Sequence, residues 1–244
     1  MQVQPLSPET RTVPFTPTAP RYDLYAGIHK ALRLLMTRTL TTLGATDPGD
    51  AAEAAASLER LDGLLDLCEL HLHDENTYVH PALERARPGA SARIAAEHLH
   101  HREAIADLRD LAALAAHSVH AARAAALARL YHALALFVAD NLQHMHVEET
   151  VHNGLLWAAY SDAELAAIEQ AIVASIPAPA MAAVLHGFIP ALNAPERAGM
   201  LAGMRDAMPP EVFAGVLGIA ERTLAAADFA KLQRDLGVPM PAAA

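Results

Sequence analysis

From Tyr22 to about Trp157 the apolar residues recur three and four positions apart, with Ala and Leu dominating and few β-branched runs, which predicts helices rather than strands. Breakers divide this stretch. A first helix from about Tyr22 to Leu43 ends at Gly44-Ala45-Thr46-Asp47-Pro48-Gly49, and a second from about Asp50 to Arg85 ends at Arg87-Pro88-Gly89. A third runs from about Ser91 to Ala116 and a fourth from about Ala121 to Tyr160, with only a weak mark at Ser118 between them. Short connections favour antiparallel neighbours, so the chain is expected to be all-α, with an up-down-up-down four-helix bundle.

Beyond Tyr160 the capping box Ser161-Asp162-Ala163-Glu164 opens a shorter helix, and Pro177, Pro179, Pro190, Pro195, Pro209 and Pro210 cut the rest into brief helical pieces. Residues 1–20 hold five prolines and no apolar period, and read as a disordered or strap-like arm. The expected organisation is therefore an arm over 1–20, a bundle over 21–172 and a helical C-terminal appendage over 173–244.

The stripes carry the chemistry. One face of the fourth helix reads Leu127, Leu130, Leu134, Phe137, Asn141, His144, Glu148, Val151, Leu155: apolar, then polar, then apolar. The second helix repeats the device with Leu61, Leu64, Cys68, His71, Glu75, Tyr78, Ala82. The local text repeats too, since His71 to Thr77 and His144 to Thr150 share His-x-His-x-Glu-x-Thr at an offset of 73. The third helix presents Ile94, His98, His101, Ile105, Leu108 and Leu111, and the first presents Tyr25, Ile28, Leu32, Leu35, Thr39 and Leu43 with His29 beside them.

Histidine is the unusual component, with 14 residues against a combined 11 Phe, Tyr and Trp, and 12 of the 14 fall between His71 and His152. Inward His and Glu are costly to bury unless paired or metal-bound. Imidazole and carboxylate donors suit Fe, Mn, Zn or Co, and four His with two potentially bridging Glu leave room for two ions. A ferritin-like arrangement would instead use Glu-x-x-His pairs, here Glu97/His100 and Glu149/His152, but it leaves His29, His71 and Glu75 without a role. Tyr78 and Asn141, one turn from these residues, could donate hydrogen bonds, while His73, His146 and Glu149 lie off the chosen faces and read as residues that support the donors or face solvent, and His80 reads as ordinary.

These motifs resemble the hemerythrin and HHE cation-binding family: an isolated His on helix one (His29), His-x-x-x-Glu on helix two (His71, Glu75), Glu-His on helix three (Glu97, His98) and His-x-x-x-Glu on helix four (His144, Glu148). The resemblance covers roughly residues 22–172. It implies a metal set of His29, His71, Glu75, His98, His144 and Glu148 holding two iron ions, with manganese or another divalent metal as the alternative. The chain departs from invertebrate hemerythrin, whose third helix bears His-x-x-x-His; four residues before His98 stands Ile94, leaving His101 as a reserve donor.

Binding of dioxygen or nitric oxide is the expected function, for sensing or handling oxygen, iron or redox state. The alternatives are a di-iron oxidase or oxygenase whose small-molecule substrate lies between bundle and appendage, and metal handling without redox turnover. A net charge of −10 argues against a nucleic-acid partner. Prolines and His186 interrupt the uncharged stretch 171–195, which argues against a membrane span there, and a single cysteine with no signal-peptide pattern makes a cytoplasmic location the expectation.

Overall fold

The computed structural model describes residues 21–238, so the arm expected over 1–20 lies outside the described residues. No strand occurs among the described residues. The chain forms α1 (Ala26–Ala45), α2 (Ala51–Asp74) continuing through a π-helical turn (Glu75–Val79) into α3 (His80–Ala86), then α4 (Ala92–His117). Next come α5 (His120–Val147) continuing through a second π-helical turn (Glu148–His152) into α6 (Asn153–Ala159), α7 (Asp162–Ser175), α8 (Ala178–Ala191), α9 (Ala194–Ala207), α10 (Pro210–Thr223) and α11 (Ala226–Leu236).

The four long helices pack in a ring, α1 against α2 and α5, and α4 against α2 and α5. Leu32, Met36, Leu61, Leu65, Ile105, Leu108, Leu130 and Leu134 fill its centre. Caps fix the starts as the sequence suggests: the Asp50 carboxylate accepts from the amides of Ala52 and Glu53, and Ser161 and Glu164 close a capping box on α7. The α5–α6 helix is long and apolar enough by composition to cross a membrane, yet its apolar stripe from Leu127 to Phe137 is buried in the bundle core.

Two features of the buried face differ from simple periodicity. On α1 the buried row is Tyr25, His29, Leu32, Met36, Thr39, Leu43, so His29 stands on the stripe itself, while Ile28 and Leu35 lie at its half-buried margin. On the second and fourth long helices the row runs in steps of four, 71-75-79-83 and 144-148-152-156, with all eight side chains buried. Steps of four lag an α-helix of 3.6 residues per turn, and the wider π-helical turns absorb that lag. The inward face therefore passes through Val79 and His152 where Tyr78 and Val151 were expected; Val151 is exposed.

The C-terminal helices make a second core around Ile189, Leu201, Phe213, Ala220 and Leu232. Arg197 is buried there, its guanidinium donating to the carbonyls of Ile189 and Leu192 at 2.7 Å each and closing the end of α8. Helix α8 lies on α1 at close range: a Cβ on Gly187 would stand 2.9 Å from Leu35 Cδ1, and one on Gly27 would stand 3.1 Å from Phe188. Lys30 of α1 bonds both oxygens of Glu196 on α9, at 2.5 and 2.6 Å. The appendage is thus seated on the outer side of the helix that carries His29.

Candidate metal centre

Each long helix delivers donors to one level of the bundle. The π-helical turns begin at Glu75 and Glu148, and both carboxylates are buried. Around them the donor atoms fall into two groups of four, His29-His71-Glu75-Glu148 and Glu75-His98-His144-Glu148, and within each group all lie within 4.8 Å of one another. The two glutamates belong to both groups. Ions bound by N and O donors at about 2.0–2.2 Å keep those donors within about 4.4 Å of each other, so each group needs only a small inward adjustment to hold one ion.

Individual separations agree. His29 Nε2 is 3.4 Å from Glu148 Oε2, His71 Nε2 is 3.5 Å from Glu75 Oε1, and His98 Nε2 lies 3.3 Å from Glu75 Oε2 and 3.8 Å from Glu148 Oε1. His144 Nε2 stands 3.1 Å from Glu148 Oε1 and 3.1 Å from His98 Nε2. All six residues are buried, yet His29 Nε2, His71 Nε2 and the four carboxylate oxygens make no hydrogen bond. These groups are held only by His–Glu contacts at 3.1–3.8 Å, so their burial is incompletely compensated by the protein alone. The site calls for cations.

The outer faces of three imidazoles are tied back. His98 Nδ1 donates to Asn76 Oδ1 at 3.1 Å, and Asn76 is itself oriented by donating its amide to Leu72 O at 2.6 Å. His29 Nδ1 donates to Glu149 Oε1 at 2.9 Å, with Arg33 bridging both oxygens of Glu149 at 2.5 and 2.9 Å. His144 Nδ1 donates to Glu97 Oε2 at 2.9 Å, and Arg93 holds the other oxygen of Glu97 at 2.8 Å. With Nδ1 bonded outward, each ring that gives up its Nε2 proton turns a lone pair toward the centre, the tautomer a metal requires.

The offset-73 repeat is structural. Asn76 and Glu149, each following its glutamate, hold the isolated histidines His98 and His29, while Thr77 and Thr150 bond the carbonyls of His73 and His146 at 2.7 and 2.6 Å. Glu149, expected to support the donors or to lie at the surface, does support one of them, whereas Asn76 is the residue that face periodicity missed; its position one after the motif glutamate was the available signal.

Within the centre the histidines and glutamates set each other's charge. Burial opposes protonation of His29 and His144, but the Glu148 carboxylate, with Glu149 and Glu97 respectively, lifts them to about 9 and about 10. Burial and the neighbouring Glu148 carboxylate raise Glu75 to about 7, whereas His144, His29 and His98 hold Glu148 well below the ordinary range against its burial. Burial and the positive neighbour His29 push His71 down. Metal ions would take over the role of those protons.

Other expectations resolve differently. The ferritin-like pairs are not assembled: His100 is exposed beside Glu103, and Glu149 is engaged with His29 and Arg33. His101 is buried edge-on to the His144 ring, 4.7 Å between centroids, outside both groups. Asn141 donates to Phe137 O rather than to a donor residue. His80, expected to be ordinary, is buried and stacked on His98 at 4.9 Å because the π-helical turn rotates it inward.

A family model for the hemerythrin HHE cation binding domain matches residues 21–156. The chain belongs to that family. The match ends within α6, and the hemerythrin bundle is the part that carries both donor groups. No curated protein matches the chain closely.

Proposed function

We propose that this hemerythrin-family protein is a non-haem di-iron protein that binds dioxygen, with nitric oxide as the competing diatomic. The observation that carries the reading is the pair of four-donor groups sharing Glu75 and Glu148, all buried. In this reading Glu75 and Glu148 would serve both ions, His29 and His71 would hold one, and His98 and His144 would hold the other. Two ferrous ions there would supply the electrons for reversible oxygenation.

The protein's own residues do the rest. Glu149, Asn76 and Glu97 fix three imidazoles so that ions need not reorganise them. Tyr25 is buried against His29, and burial with the nearby Glu148 and Glu75 carboxylates raises its phenol well above 10, so it keeps its proton, with the hydroxyl 3.4 Å from His152 Nδ1. Apolar surface abuts His71 and Glu75, which suits an uncharged diatomic gas. That same surface favours a second reading, in which the pair oxidises a small molecule.

The test is oxygen titration of anaerobic, ferrous-loaded protein with optical detection. Uptake saturating near one dioxygen per iron pair and reversed by deoxygenation supports binding. Continuous consumption that depends on an added substrate moves the assignment to an oxidase or oxygenase, and metal exchange without any uptake moves it to metal handling.

A further inference from the structure

Between the bundle and the appendage lies a cavity of about 280 Å³. The bundle side is formed by Ile28, Leu67 and Leu70 around His71 and Glu75, and α7, α8 and α9 form the facing side, with Ile172, Val184 and Met204 among them. We propose that this cavity binds an apolar molecule carrying a hydroxyl or amine and no anionic group, one end of it against His71 and Glu75.

Four observations converge on that chemistry. The lining is almost wholly aliphatic or aromatic, so water inside finds few partners and an apolar occupant gains by removing that surface from water. Met181, Met200 and Met204 cluster on the appendage side, and unbranched thioether side chains adapt to an occupant's shape.

The polar points are all acidic or neutral. Asp74 and Glu169 line the cavity besides Glu75, and no Lys or Arg does. Away from the donor residues a carboxylate on the occupant would meet only the Asp74 and Glu169 carboxylates and no cationic side chain. Asp74 is 7% exposed and its Oδ1 has no hydrogen-bond partner, so the wall itself holds an acceptor in want of a donor. Glu169 and Val173 line the cavity yet are exposed to solvent, which places its mouth along α7.

The occupancy rests on the cavity and goes beyond the di-iron reading. The experiment uses the full chain, titrated with the neutral fluorophore N-phenyl-1-naphthylamine and then challenged with 1-decanol, decylamine and decanoate, with metal content measured in parallel. The wild type should show one saturable site, with decanol and decylamine displacing the probe at least about tenfold better than decanoate. Val184→Trp and Ile172→Trp, each filling the cavity from a different helix and checked for unchanged helicity, should weaken the probe at least about tenfold. No saturable binding, equal displacement by decanoate, or full binding in a folded cavity-filled variant overturns the proposal. Probe failure in protein holding two ions sinks the cavity alone, and probe binding in protein that takes no metal sinks the di-iron reading alone.

Discussion

The two donor groups share both carboxylates and differ in what stands behind their histidines. Behind His71 is the apolar cavity; behind His98 and His144 are rings, with His80 stacked on His98 at 4.9 Å and His101 edge-on to His144 at 4.7 Å, itself backed by Phe137. One set of ligand chemistry is thus given two environments. The appendage makes the difference, because α7, α8 and α9 form the outer side of the cavity and α8 is held on α1 through Gly27 and Gly187. Access, rather than ligand type, separates the two positions.

The largest effect should erase the comparison altogether. Glu75 and Glu148 belong to both groups, so Glu75→Ala or Glu148→Ala should remove essentially all bound metal, measured by mass spectrometry of the purified protein. A variant of either kind that keeps one ion at full occupancy would show that its glutamate serves one position only.

A smaller effect should tell the groups apart from outside. Glu149→Gln weakens the hold on His29 and Asn76→Ala frees His98, and losses of such outer partners cost about 10–100-fold in metal affinity. Competition with a chelator should show one ion weakened in each variant, the cavity-side ion with Glu149→Gln and the other with Asn76→Ala.

The mildest test is pH. The folded values of His29 and His144, about 9 and about 10, lie above the ordinary 6.5. Their protonated pairs therefore stabilise the metal-free fold fully below about pH 6.5, and that contribution fades as the pH rises through the folded values. Metal needs the neutral imidazoles, so its uptake should release protons and tighten by roughly tenfold per pH unit for each proton displaced, between about pH 6 and 8. Affinity independent of pH would contradict the protonated metal-free cluster.

Much of this was legible in the chain. His71/Glu75 and His144/Glu148 interrupt apolar stripes at the same level, and Gly and Pro breakers mark two of the three junctions in the bundle. The π-helical turns were not legible from a 3.6-residue period, and so the inward turn of His80 and His152 went unseen. The signal was present as two rows of buried side chains in steps of four. The partners of the histidines come from other helices, as Glu149 does for His29 across 120 positions, and only the packed bundle shows them. The cavity belongs to no single element; it arises where two cores meet imperfectly, which no linear pattern records.

The central claim is that one bundle holds two ions through shared carboxylates, and metal content read beside the optical spectrum tests it most directly. Protein from iron-supplemented cells should carry about two irons per chain with near-ultraviolet bridging bands, falling to about one in His71→Ala, whose histidine belongs to a single group. An iron-free protein, or iron unchanged in that variant, would contradict it.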